Sequence, residues 1–246
     1  MSELRHSAGA KLGVLGGMGP LATIDFLRKL VERTPGSADQ DHIPMILHSV
    51  PQIPDRSMAF LAGSDIPWAY LVSGLFTLQN AGAQLIAIPC NTAHVWHKRL
   101  ASIASVPVLH IGRLTGEAIG SGRAAPHRIG ILATDATLRA DIYHTELGLR
   151  GIAVVPPPDG DQSAFVMAGI RAVKAGDVPQ GRLLLEKAAA RLAEAGAEAI
   201  LMACTEVPLA LDGIDLGVPT IDPTTILAEA CVTWWTTNFA PERAVA

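Results

Sequence analysis

The chain is predicted to be α/β, built as two pseudo-symmetric parallel-sheet domains with a site in the cleft between them. Three observations predict this. Short apolar runs alternate with longer helical patterns, the order that favours parallel sheets with helices on both faces. A stretch of the first half recurs in the second. With 246 residues, 49% of them hydrophobic and 17% charged, the chain is long enough to bury a core in each half.

In chain order, strands are expected at Leu12–Leu15, Met45–Val50, Leu85–Pro89, Val106–Ile111, Ile129–Ala133, Ile152–Val155, Ala199–Ala203 and Val218–Ile221. Helical patterns lie between them at Ala22–Arg33, Ala69–Ala81, Gly181–Ala195 and Thr225–Trp235. "LQNAGAQLIAIPCNT" at 78–92 and "LAEAGAEAILMACTE" at 192–206 align without a gap at an offset of 114, with Leu, Ala, Gly, Ala, Ile and Cys in common. Upstream, "KLGVLGGMGP" (11–20) matches "RIGILATDAT" (128–137); downstream, "SVPVLHI" (105–111) matches "GVPTIDP" (217–223). The near-constant spacing of three matches points to two homologous halves. The expected domains are residues 1–109 and 110–223, joined within "HIGRLTGEAIGSGRAAPHR", with a last helix in 224–246 returning to cover the first.

Composition narrows the function classes. A net charge of −4 with dispersed Lys and Arg provides no footprint for nucleic acid. The apolar stretches are strand-length, so no membrane partner is expected, and "MSELRHSAGA" lacks a signal-peptide apolar region. Three cysteines with no C-x-x-C pair suit a reducing compartment. A cytoplasmic homodimer acting on a small molecule is expected.

The opening loop raises a cofactor question. Gly17, Gly19 and Ala22 fit the dinucleotide spacing G-x-G-x-x-G/A. That reading needs an acid at the end of the second strand, where "ILHSVPQIPDR" offers His48 and Ser49; Asp39 and Asp41 precede the strand. A turn feeding a helix N-terminus still makes an anion seat, and a substrate carboxylate is an anion. Gly16 to Gly19, with Met18 facing the pocket, are expected to cradle such a substrate.

The repeat sets Cys90 and Cys204 at matching places, each after an apolar strand and before a polar pair: "PCNTAH" and "ACTEVP". Opposed thiols suit removal of a proton from one face of a carbon and its return to the other. A neighbouring helix N-terminus is expected to lower their pKa values. Cys231, in the apolar helical pattern "LAEACVTWW", reads as packing. A zinc site on Cys90, His94 and Cys204 is a poor match to metal-ligand spacing, and no metal is expected.

With these residues in view, the chain resembles the aspartate/glutamate racemase family, closest to its aspartate racemase branch. "LGVLGGMGPLAT", "PQIPDR", "IPCNTAH" and "ACTEVPL" carry the likeness, over roughly Leu12 to Ala230. The resemblance implies racemisation without pyridoxal phosphate or metal, with Cys90 and Cys204 as the acid/base pair. It implies that Asn91, Thr92 and Thr205 hold the substrate's α-carboxylate and amino group. Thr134, the repeat partner of the glycine loop, is a further donor. Arg56 and Lys174 match family positions associated with acidic substrates, with Gln52 in the same loop as Arg56 a further candidate, and a guanidinium suits two-point contact with a carboxylate. The glutamate branch instead has an Asp in the first loop and a His after the second cysteine. Here the loop reads "LGGMGP" and Glu206 follows Thr205. Whether Glu206 or His94 assists the cysteines stays open, as do a decarboxylase or cis-trans isomerase on the same fold and a non-catalytic amino-acid-binding protein.

Overall fold

The computed structural model describes residues 11–122 and 125–239. The ends of the expected domain ranges, 1–10 and 240–246, lie outside them. Two all-parallel sheets form. The first has the order β2 (Met45–Ser49), β1 (Lys11–Gly16), β3 (Ala83–Ala87). The second runs β5 (Ala153–Val155), β4 (Arg128–Ile131), β6 (Ala199–Leu201), β7 (Thr220–Ile221). Order 2-1-3 in one sheet and 5-4-6 in the other is the same arrangement built twice, as the sequence repeat requires.

One expected strand is missing. Of Val106–Ile111 only Val108 pairs, in a single bridge to Ile86. Pro107 has no N–H to extend a ladder, and His110 caps the next helix, its side chain accepting from the Arg113 amide. That leaves room for a short pairing only, as Pro219 and Asp222 do around the two residues of β7. The equivalent pairing in the second half, Ile200 with Thr220, is the start of β7.

That next helix is a second correction. Residues Ile111–Gly120, read as interdomain connection, are helix α5 (α1 to α4 are Pro20–Arg33, Arg56–Leu61, Ile66–Asn80 and His97–Ile103). Its glycines made the segment look like a loop. Gly112, Gly116 and Gly120 instead form one face against which other chain segments lie close. A Cβ on Gly112 would stand 2.3 Å from the Ile142 carbonyl oxygen, and one on Gly120 would stand 2.8 Å from Arg150 Cδ.

The remaining helices are α6 (Asp135–Arg139), α7 (His144–Gly148), α8 (Ala168–Lys174), α9 (Val178–Glu194), α10 (Glu206–Leu211) and α11 (Pro223–Asn238). A π-helical turn, Gln162–Met167, leads into α8. No helix among the described residues is long and apolar enough to cross a membrane.

Each sheet is covered on both faces. Leu12, Val14 and Leu85 pack with Phe26 and Leu30 of α1 and with Leu227, Cys231 and Trp235 of α11. Ile86 and Ile88 meet Leu71, Leu75 and Leu78 of α3. In the second sheet Ile200 meets α8 to α10, and Ile129 and Ile131 meet Tyr143 and Leu147. Helix α5 serves both halves, with Ile111 in the first core and Ile119 in the second. Buried Lys29 of α1 pairs with Asp222, the residue whose carboxylate caps α11, at 2.7 Å. Burying an aliphatic or aromatic side chain is worth about 1.5–3 kcal/mol, so these clusters fix the ends of β1, β3, β4 and β6 from which the site is built.

Candidate active site

Parallel strands present their carboxyl ends on one edge, where an open sheet offers its crevice. Cys90 stands three residues beyond β3 and Cys204 three beyond β6. Both are 5% exposed. They line one narrow cleft, together with Met18, Asp55, Arg56, Ser57, Asn91, Thr92, Thr134, Lys174, Thr205 and Glu206. Of the ten residues the sequence proposed, nine lie here. Gln52 does not; it is exposed on the loop before α2 and is not part of the lining.

The opening loop is tied to itself. Gly17 takes a left-handed φ of +89°, and a Cβ there would meet the Val50 amide nitrogen at 2.4 Å, so no larger residue fits. Its N–H donates to Thr23 Oγ1 at 2.9 Å, and that hydroxyl donates to the Gly19 carbonyl at 2.9 Å. The Gly17 donor expected to help cradle an anion is therefore spent inside the loop. Of Gly16 to Gly19, Met18 is the member that reaches the cleft.

Three hydroxyls close a triangle across the two halves. Thr92 Oγ1 lies 3.1 Å from Thr134 and 2.9 Å from Thr137, which are themselves 3.0 Å apart. Thr134 also caps α6 by accepting from the Thr137 amide. Asn91 is buried; its Oδ1 accepts from the Tyr143 hydroxyl, while its Nδ2 has no partner among the described residues.

Cations converge from two directions. Arg56, the first residue of α2, is buried and donates from Nη1 to the carbonyls of Ile53 (3.0 Å) and Pro54 (3.2 Å). Its Nε is buried and has no partner among the described residues. Lys174, at the end of α8, holds its Nζ 3.7 Å from Asp55. Burial alone would lower the Lys174 pKa, but the carboxylates of Glu206 and Asp55 outweigh it and raise the value. Lys174 and Glu206 also line a second groove, beside Gly19 to Ala22, so they stand between it and the cleft.

The cysteines differ in company. Cys204 Sγ lies 3.0 Å from Glu206 Oε2, to which the Thr205 hydroxyl also donates at 3.3 Å. Burial pushes the Cys204 thiol well above its ordinary pKa, and the Glu206 carboxylate adds to the rise against Lys174. The expectation of a lowered value is overturned for Cys204: α10 is short and its first residue is an acid. His94 does not touch the Cys90 thiol. Its Nδ1 pairs with the Cys90 carbonyl oxygen at 2.9 Å, and burial lowers its pKa to about 3. Asp55 and Ser57 entered the lining unannounced; their place beside Arg56 was the available signal.

The Asp/Glu/hydantoin racemase family profile matches residues 15–231. The chain belongs to this family. It is an enzyme of the amino-acid racemase kind, which sets aside the non-catalytic reading. Among its relatives, the broad specificity amino-acid racemase RacX of Bacillus subtilis (strain 168) is 30% identical over 230 residues, 90% of this chain and 96% of that protein. The aspartate racemase of Picrophilus torridus superposes with a TM-score of 0.83 at 31% identity, covering 92% of this racemase and 94% of that chain. A glutamate racemase from Francisella tularensis subsp. tularensis SCHU S4, solved with D-glutamate, shares the fold at 17% identity (TM-score 0.69, 95% and 84% covered). Cys231 sits in the α11 core, away from the cleft, where burial raises its thiol pKa above the ordinary range.

Proposed function

We propose that this racemase interconverts L- and D-aspartate by two-base proton transfer between Cys90 and Cys204, with no cofactor. The observation that carries the reading is the pair of buried thiols at equivalent strand ends, lining one cleft. One cysteine, as thiolate, takes the Cα proton and becomes a thiol. The other, as thiol, delivers its proton to the opposite face and becomes a thiolate. The roles exchange for the other enantiomer. The carbanion needs its charge drawn into the α-carboxylate, and donors fixed in advance do this best. Asn91 Nδ2 and the hydroxyls of Thr92 and Thr134 are placed to supply them. Arg56 and Lys174 then face the side-chain carboxylate, with Arg56 Nε a guanidinium donor that has no partner among the described residues. Desolvation by the closed cleft strengthens each of these contacts.

The test is incubation with L-aspartate in deuterated water, without added cofactor and with a chelator, followed by chiral analysis. D-Aspartate carrying deuterium at Cα is expected, and a slower reaction with L-alanine. Arg56→Ala should lower kcat/KM for aspartate by about 2–4 kcal/mol in transition-state terms, and for alanine far less. No exchange with either substrate overturns the reading, and equal rates on both remove its assignment to aspartate.

A further inference from the structure

We propose that Tyr143 is a positioning residue for the reaction, holding the Asn91 carboxamide so that its N–H donors face the cleft. This rests on the reading of the cleft as an amino-acid site. Tyr143 lies outside the cleft lining, 52 residues from Asn91 and in the other half of the chain. It is fully buried, and its hydroxyl donates to Asn91 Oδ1. A carboxamide has one acceptor end and one donor end. With the acceptor end engaged by the phenol, Nδ2 must point the other way. That nitrogen is buried and lacks a partner among the described residues. Leaving a buried donor without a partner is costly, and a bound carboxylate would relieve that cost.

The protein builds this placement with some care. After α6 the chain turns through Asp141 at a left-handed φ of 57°, and Tyr143 follows as the residue that opens α7. The carboxylate of Asp141 accepts from the Thr145 amide at 3.1 Å, which fixes the turn. Gly112 of α5 lets the turn approach, since its missing Cβ leaves room for the Ile142 carbonyl. Burial, followed by the charge of Asp222, pushes the Tyr143 phenol well above its ordinary pKa. It therefore keeps its proton and remains a donor. A core packing role alone would be met by phenylalanine.

Tyr143→Phe, which keeps the ring and removes the hydroxyl, is the variant to make, with Asn91→Ala and the double variant. With aspartate as substrate, Tyr143→Phe is expected to lower kcat/KM about tenfold in the parent and to have almost no further effect in the Asn91→Ala background. Equal losses in both backgrounds overturn the proposal. A readout independent of activity is the Asn91 side-chain amide signal in nitrogen-15 NMR. Tyr143→Phe should move and broaden it, and an unchanged signal overturns the proposal even if the racemase prefers another substrate. An inactive parent enzyme with a moved amide signal would count against the aspartate reading alone. If Tyr143→Phe does not fold, the unaltered protein decides. A slowly exchanging Tyr143 hydroxyl proton with a cross-peak to the Asn91 amide supports the link, and its absence overturns it.

Discussion

Cys90 and Cys204 occupy one position in two copies of the same strand arrangement, yet they do not share surroundings. Behind Cys204 stands an acid, Glu206, within hydrogen-bond distance of the sulfur. Behind Cys90 stands a group of imidazoles, His94, His97 and His110, with ring centroids 4.6–5.7 Å apart. The repeat places Pro208, Leu211 and Asp222 where those histidines would fall in the second half. Duplication accounts for two thiols lining one cleft. The differences accumulated around them set an acid beside one thiol and imidazoles behind the other.

The largest effect should come from breaking the pair itself. Cys90→Ala or Cys204→Ala is expected to abolish racemisation in both directions, at least the ~10^2–10^4-fold that a positioned acid or base contributes. Each single variant should still wash deuterium into the one enantiomer its surviving thiol faces, so the two variants should prefer opposite enantiomers. Near-parental racemisation by Cys90→Ala would end the two-base account. Cys231→Ala should leave the rate alone.

A smaller effect sharpens the asymmetry. Glu206 raises the Cys204 thiol pKa, so Glu206→Gln should lower it. In the pH profile of kcat/KM, the limb for the enantiomer deprotonated by Cys204 should move to lower pH, while the limb belonging to Cys90 moves less. Equal movement of both limbs would mean that Glu206 acts on the substrate rather than on one cysteine.

The smallest effect is on stability and belongs to the first half. Burial lowers the pKa of His94 to about 3 and of His110 to about 4, and lowers that of His97, against an ordinary 6.5. The unfolded chain therefore binds more protons than the folded one between those values. Stability is fully present above pH ~6.5 and is lost as the pH falls towards 4. Unfolding midpoints measured from pH 8 to pH 4 should show the drop, and His97→Leu, which copies Leu211 of the other half, should make it shallower. A midpoint that is flat across that range would remove the imidazole group as the cause.

Much of this was legible in the sequence because repetition is a strong signal. Two gap-free cysteine motifs located the two thiols that line the cleft, and strand ends located the edge of the sheet. Side-chain direction in irregular loops is not encoded in spacing, which is why Gln52 was expected in the cleft while its neighbours Asp55 and Ser57 line it. Tyr143 and Asn91 meet only because α5 admits the turn between α6 and α7, a contact no local pattern announces. The α5 glycines misled for a related reason. Glycine spaced every four residues reads as loop in isolation and as a close-packing face once a partner is present.

Helix α11 has a consequence for how the protein is made. It is translated more than a hundred residues after the strands it covers, yet Leu227, Cys231 and Trp235 complete the core around Leu12, Val14 and Phe26. While the intervening residues are being synthesised, the first half carries an uncovered apolar face, the kind of surface that draws chaperones and favours misassembly. A ribosome-bound chain stopped short of residue 223 should therefore be protease-sensitive in its first half. The order of synthesis thus leaves the first-built sheet waiting for one of the last helices to arrive.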